Sequence, residues 1–392
     1  MRLLINTSSV FKGGSAQVAK SFLRECCQFE EHAFGVVLGP GLSNAFRTED
    51  FPADFRFYVL TERPAQRVLS LRSPSKRLRE IESDFAPDVV FTTSGPSYWR
   101  PVVPHLMGFN LPHHVYPDSP YFSRVLNRRG RLRWRAKSLL IHHYTSRFAD
   151  AWVVQTDDVN DRLRRWIRSD QVFTVPNTIS GAYALELQEE ARGRSSSKGD
   201  KKEFRLLVLS SYYPHKNLEI LNDIIVGLRK RNIDDIRFTM TLPKPDFEAA
   251  ISQDNRAWIQ NLGPQQPEEC PRLYLESDAV LLPSLLECFS ANYVEAMAMR
   301  RPMITTNLGF ARTVCGDAAL YFEPMDGADA LGKILELRHN TSLQQRLVEA
   351  GRRELRRFGT ATERASAYLD ICQRLVNGRE YTDHHRQDGR GQ

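Results

Sequence analysis

Short apolar runs alternate with amphipathic stretches along most of this chain. The runs Arg2–Thr7, Ala33–Leu38, Phe55–Leu60, Asp88–Thr93, His105–Phe109, Ala151–Gln155 and Val172–Val175 predict strands. Between them, Ala16–Cys27, Leu78–Phe85 and Asp158–Ile167 carry apolar residues at helical spacing. Residues 189–203 are charged and small, with nothing to bury, and predict a linker or exposed loop. The alternation then restarts with strand Arg205–Ser210, helix Leu218–Lys230, strand Arg237–Thr241 and helix Asp246–Gln260. A short strand before Gly263 follows, then helix Pro271–Ser277, strand Ala279–Leu282, helix Ala291–Met299 and strand Met303–Thr305. From Asp329 to Leu375 the pattern is mostly helical.

Strand and helix in strict alternation argue for a doubly wound parallel sheet, and the restart argues for two of them. The expected organisation is an N-terminal Rossmann-like domain over 1–188 and a C-terminal one over 204–360. A helix at 361–377 is expected to pack back on the first domain, and 378–392 to form a disordered tail. Two such domains facing across a cleft would place the carboxyl ends of their strands, where α/β sheets bind ligands, around it.

Composition narrows the class. Of the 392 residues, 41% are hydrophobic and 26% charged, which suits ordinary soluble cores and excludes disorder along the whole chain. The apolar runs are far shorter than the ~20 residues of a spanning helix. Met1–Thr7 meets polar residues too soon for a signal peptide and reads as a first strand at the native start. The six cysteines form no Cys-x-x-Cys pair, so scattered thiols in a reducing cytoplasm are expected, with no bound metal. A net charge of +7 favours anionic partners, and the absence of a nucleic-acid-binding motif argues against DNA or RNA.

The densest candidate chemistry lies in Leu281–Met299. A buried strand ends at Pro283–Ser284, a loop carries Glu287, and a helix begins near Ser290 with Glu295 in its second turn. Backbone N–H groups at such a helix start, with the positive end of its dipole, suit a diphosphate. Phe289, Ser290, Ala291 and Asn292 line that start, and Glu287 and Glu295 can accept hydrogen bonds from sugar hydroxyls on either side. Lys216 follows a strand ending at Ser210 and Ser211 and is a charge partner for a leaving diphosphate. Gly13 and Gly14, after the first strand, allow close backbone approach to a ligand.

Glu287 and Glu295 stand as Glu-x7-Glu inside Pro-Ser-x-x-Glu-x-Phe-x-x-x-x-x-Glu-Ala-Met-Ala. This segment resembles glycosyltransferase family 4, retaining enzymes of the GT-B fold. The resemblance runs nearly continuously from about Phe204 to Gly332 and is patchier before it. It implies that Glu287 contacts the donor sugar and Glu295 the ribose, and that Gly13, Gly14, Ser210, Ser211 and Gly263 join the donor-binding set. Where the family usually carries an arginine ahead of the lysine, this chain has Ser210 and Ser211, so a serine hydroxyl or an arginine from elsewhere must substitute. Where many relatives place a sugar-contacting histidine, this chain has Asn110, which cannot titrate, with His113 and His114 as alternatives.

The resemblance further implies transfer with retained configuration, no cofactor, and metal-free stabilisation of the diphosphate. A hexose or deoxyhexose would pass from a nucleoside-diphosphate sugar to a glycan or polyprenyl-linked acceptor, in bacterial surface polysaccharide synthesis. The basic segment Arg124–Arg147, interleaved with Leu132, Trp134, Leu139, Leu140 and Ile141, suggests contact with an anionic membrane surface. The expected location is cytoplasmic, on the inner face of the membrane. A nucleotide-sugar epimerase and a non-catalytic GT-B scaffold are the competing readings.

Overall fold

A computed structural model describes residues 1–10, 13–43, 47–65, 76–179, 183 and 203–388. Residues 189–202 of the expected linker lie outside the described residues. The chain divides into two units. The first comprises Met1–Val115, Arg128–Asn177 and Thr360–Gln392, the second Tyr116–Asn127 and Thr178–Gly359.

The first unit is built on a parallel sheet of β1 (Arg2–Asn6), β2 (Ala33–Leu38), β3 (Arg56–Val59), β4 (Val89–Thr92), β5 (His105–Gly108), β6 (Ala151–Val154) and β7 (Val172–Thr174). Their spatial order is β3-β2-β1-β4-β5-β6-β7. Leu3 pairs with Val89 and with Phe34 on the other side, so β1 is central and buried on both faces. That explains its near-continuous apolar sequence, because helices cover both faces of a parallel sheet. Helix Gly14–Cys26 buries Ala19, Phe22 and Leu23 against it. Helix Ala361–Asp388 belongs to the same unit and adds Ala365, Tyr368, Leu369 and Cys372 to its core. The Phe22 ring meets Phe91 edge-on at 5.4 Å and Tyr368 at 5.3 Å. The helix continues through 378–388, where an unstructured tail is expected. Gly378 costs a helix only about 1 kcal/mol, too little to stop one already anchored by its first half.

The second unit holds β8 (Phe204–Val208), β9 (Ile236–Met240), β10 (Ile259–Asn261), β11 (Ala279–Leu282), β12 (Met303–Thr306) and β13 (Ala319–Phe322). They are parallel in the order β10-β9-β8-β11-β12-β13. Leu206, Val208, Phe238, Leu281, Ile304 and Phe322 form the centre of its core with Ile224 and Leu228 of helix Ile220–Lys230.

Two further expectations need correction. The helix expected over Asp246–Gln260 is broken into helix Lys244–Ala250, a 3-10 turn Gln253–Trp258 and β10. Ile251 is extended, and both the amide and the hydroxyl of Ser252 donate to Asn222 Oδ1, a tertiary bond that overrides the helical spacing. Tyr116–Asn127 folds with the second unit and not with the N-terminal domain. Among the described residues no helix is long and apolar enough to cross a membrane.

Candidate functional site

In an open parallel sheet, ligands sit beyond the carboxyl ends of the strands where the order reverses. In the second unit that point lies between β8 and β11. A cavity there is lined by Leu209, Ser210, Lys216, Pro283, Ser284 and Asn292, among others. The local sequence explains each wall. Beyond β8, the 3-10 turn Pro214–Lys216 ends at Asn217, whose left-handed backbone (φ 54°) stops it and presents Lys216. Beyond β11, Leu285 and Leu286 are buried, which pins the loop and leaves Glu287 partly exposed between them and Cys288. The loop's carbonyls are also held from β12. Thr305 Oγ1 donates to Leu282 O at 2.8 Å, and Thr306 Oγ1 to Ser284 O at 2.6 Å.

Lys216 Nζ and Glu287 Oε1 form an ion pair within this cavity region, with both side chains largely buried. Helix Ala291–Ala298 follows, with Ser290 as its N-cap residue in extended conformation. The Ser290 side chain makes no capping bond. Asn292 Nδ2 instead donates to Leu209 O at 2.5 Å, tying the helix start to the end of β8. Ser210 Oγ donates to Ser211 O, and Ser211 is exposed. Thus Lys216, Glu287, Ser210 and Asn292 come together at the switch point. Phe289 turns its ring to Phe358 at 6.0 Å, a packing contact within the unit. Gly263 follows β10 at the sheet edge with φ +75°, and nothing stands within 4 Å of where its Cβ would be.

Glu295 has a separate environment. Tyr274 Oη donates to Glu295 Oε2 at 2.8 Å, and Tyr183 also hydrogen-bonds the carboxyl. The two phenol rings meet edge-on at 5.8 Å. Burial raises the carboxyl above its ordinary value, while the two hydroxyls favour its charged form and oppose that shift. Two phenols leave further lone pairs on the carboxylate for a ligand hydroxyl. His215, next to Lys216, stacks on Tyr213 at 5.5 Å. Burial pushes its imidazole down, and Glu287 partly offsets that.

The first unit carries the other expected residues. Gly13 (φ 77°) caps helix Gly14–Cys26, so Gly14 is its first residue, and neither glycine has an atom within 4 Å of a notional Cβ. Asn110, just past β5, accepts from Ser94 Oγ at 2.9 Å. His113 lies in the short helix Pro112–Val115 and is partly buried. His114 does not suit the sugar-contacting role. Its ring is buried and stacked near Trp134 (6.4 Å) and Trp166 (5.8 Å), with Nδ1 bonded to Ser138 Oγ. Burial, reinforced by the positive charges of His113 and Lys137, lowers it to about 4. The basic segment is also revised. Arg124 lies in helix Pro120–Val125 of the second unit and pairs with Glu219 at 2.9 Å, apart from the basic helix Arg128–Arg147.

Sequence reasoning missed Tyr183, Tyr274, Thr305 and Thr306. The consecutive threonines ending an otherwise apolar strand were a visible signal, and the tyrosines carried none.

Residues 189–354 match the family model for glycosyl transferases group 1. An uncharacterized glycosyltransferase of Methanocaldococcus jannaschii is 27% identical over 156 residues, 39% of this chain and 43% of that protein. The O-antigen chain mannosyltransferase B of Escherichia coli is 28% identical over 114 residues, 28% of this chain and 30% of that protein. The matched segment thus spans less than half of either relative. In structure, the chain is similar to WaaG, a glycosyltransferase involved in lipopolysaccharide biosynthesis, with 13% identity. For WaaG itself the TM-score is 0.68, covering 95% of this chain and 99% of that one. The fold is GT-B, two Rossmann-like parallel-sheet units.

Proposed function

We propose that this chain is a retaining, metal-independent glycosyltransferase that moves a hexose or deoxyhexose from a nucleoside-diphosphate sugar to a glycan or lipid-linked acceptor. The observation that carries the reading is the Lys216–Glu287 pair at the switch point, beside the start of helix Ala291–Ala298. A cation, a helix start and a carboxylate are the groups a departing diphosphate and a sugar hydroxyl require. The arriving donor divides the pair. Its phosphates take Lys216 and its sugar hydroxyls donate to Glu287, so each charge keeps a partner throughout. Glu295, with Tyr274 and Tyr183 already on it, accepts the ribose hydroxyls.

In the reaction the anomeric carbon–phosphate oxygen bond breaks and the acceptor oxygen bonds that carbon on the same face. The acceptor's proton passes to the departing phosphate oxygen. Charge grows on the diphosphate, so Lys216 and the helix N–H groups bind the transition state more tightly than the donor. Within the first unit, Asn110 and His113 offer hydrogen-bonding groups just past β5, and Gly13 and Gly14 an open stretch of backbone.

The acceptor assignment rests on helix Arg128–Arg147. Leu132, Leu139 and Leu140 stand at helical spacing and are 70%, 73% and 44% exposed, among exposed arginines. Such a face suits an anionic membrane carrying a polyprenyl-linked acceptor on its cytoplasmic side. The matches to proteins named for O-antigen and lipopolysaccharide synthesis support a role in surface polysaccharide assembly.

The test is calorimetry of the purified chain against a panel of nucleotide sugars in EDTA, followed by transfer assays with anomeric analysis by NMR. Binding of a donor and a product of retained configuration are expected. Donor binding without transfer to any glycan or lipid acceptor would favour a non-catalytic scaffold, and donor isomerisation an epimerase.

A further inference from the structure

Tyr116–Asn127 packs within the second unit at two points that flank Lys216. At the first, Ser119 caps helix Pro120–Val125, its hydroxyl accepting from Tyr121 N and donating to Leu285 O at 2.7 Å. Leu285 N in turn donates to His215 O at 2.7 Å. One residue therefore bonds the capping segment through its carbonyl and the lysine turn through its amide. The Tyr121 ring meets His215 edge-on at 6.3 Å. At the second point, Arg124 pairs with Glu219 Oε2, while Tyr212 Oη donates to Glu219 Oε1 at 2.7 Å. Tyr212 and Glu219 bracket the turn Pro214–Lys216 in sequence.

We infer that Ser119 and Arg124 are positioning residues for the donor site. Ser119 sets the height of the loop that presents Glu287, and Arg124 fixes the turn that presents Lys216. This rests on the reading that Lys216 and Glu287 hold the donor. The lysine turn and the glutamate loop are joined by the backbone bond from Leu285 N to His215 O, beside the Lys216–Glu287 ion pair that substrate must divide. When the pair opens, the segment's hydroxyl and guanidinium remain to hold the two elements. A catalytic geometry displaced by about 1 Å loses about 100-fold in rate, so such anchoring has a functional readout.

The experiment compares full-length wild type with Ser119→Ala, Ser119→Thr and Arg124→Gln. Hydrogen exchange is followed in peptides covering 284–288 and 212–219, and affinity for UDP, GDP and their sugars by calorimetry. In Ser119→Ala, exchange at 284–288 is expected to rise about ten-fold, as loss of one buried hydrogen bond allows. Sugar nucleotides should weaken more than the bare diphosphates, and Ser119→Thr should restore both. Arg124→Gln should act on 212–219. Unchanged exchange at 284–288 in Ser119→Ala, or failure of threonine to restore it, overturns the inference. If wild type binds no nucleotide the proposed function fails, and the exchange measurements still decide the positioning roles. Should Ser119→Ala not fold, the Arg124→Gln exchange pattern decides.

Discussion

Lys216 Nζ and Glu287 Oε1 are paired across 71 residues of sequence, at the one place in the second sheet where strand order reverses. Their pairing makes two substitutions separable. Lys216→Ala removes a charge-assisted contact to phosphate, worth about 1.5–3 kcal/mol, so nucleoside diphosphate affinity should fall about 10- to 100-fold. Glu287→Gln leaves the lysine unpaired and free for phosphate. Affinity for bare diphosphate should hold or rise, while sugar transfer drops. Calorimetry with UDP and GDP beside turnover assays separates the two. Equal loss of diphosphate affinity in both variants would contradict the assigned roles.

Tyr274→Phe tests the second carboxylate. The Glu295 carboxyl is already raised by burial, and the Tyr274 hydroxyl works against that shift. Removing the hydroxyl should raise the carboxyl further. A ribose hydroxyl donates to the charged form, so nucleotide affinity in Tyr274→Phe should begin to fall at a higher pH than in wild type. Affinity for UDP or GDP measured from pH 8 down to pH 5 shows this directly. Superimposable profiles would separate Glu295 from nucleotide binding.

These sites were unequally legible. β2 at Ala33–Leu38 and β11 at Ala279–Leu282 follow their apolar runs residue for residue, because strands covered on both faces have no polar side to confuse their limits. Lys216 stood out by its placement between a strand and a helix, and Glu287 by the segment Pro-Ser-x-x-Glu-x-Phe around it, which carries the family resemblance. The break at Ser252 was hidden, since Phe247, Ala250 and Ile251 keep helical spacing and the competing bond comes from Asn222, thirty residues away. Ser119 was hidden for the same reason, its partner Leu285 lying 166 residues on. Nothing local marks a residue whose role is set by a distant carbonyl.

The first unit should lose stability on acidification. His105 is fully buried, with Nε2 bonded to Thr92 Oγ1 at 2.8 Å and Nδ1 to Phe148 O. Burial lowers it to about 4, as it does His114. Between about 6.5 and 4 the unfolded chain therefore binds these protons more strongly than the folded one. Stability is complete above that window and falls as pH drops through it, by about 1.4 kcal/mol per pH unit for each histidine. Thermal unfolding at pH 7.5 and 5 should show a fall that His114→Phe reduces. An unchanged midpoint would mean that the two rings are charged in the fold.

The exposed leucines of helix Arg128–Arg147 carry the last prediction. Leu132 and Leu139 are separated by seven residues, lie on one face and are more exposed than Leu140, so two substitutions remove most of that apolar face. Both are largely exposed, and replacing the two with aspartate should change stability by only about 1 kcal/mol. Wild type should bind vesicles containing anionic lipid and release them as salt rises, because the flanking arginines supply about 1 kcal/mol each at an anionic surface. The Leu132→Asp, Leu139→Asp variant should lose vesicle binding while keeping affinity for soluble nucleotide sugar. Vesicle flotation at low and high salt reads both effects. Binding that survives the leucine changes and vanishes with salt would make the contact purely electrostatic, with the apolar face exposed for another purpose.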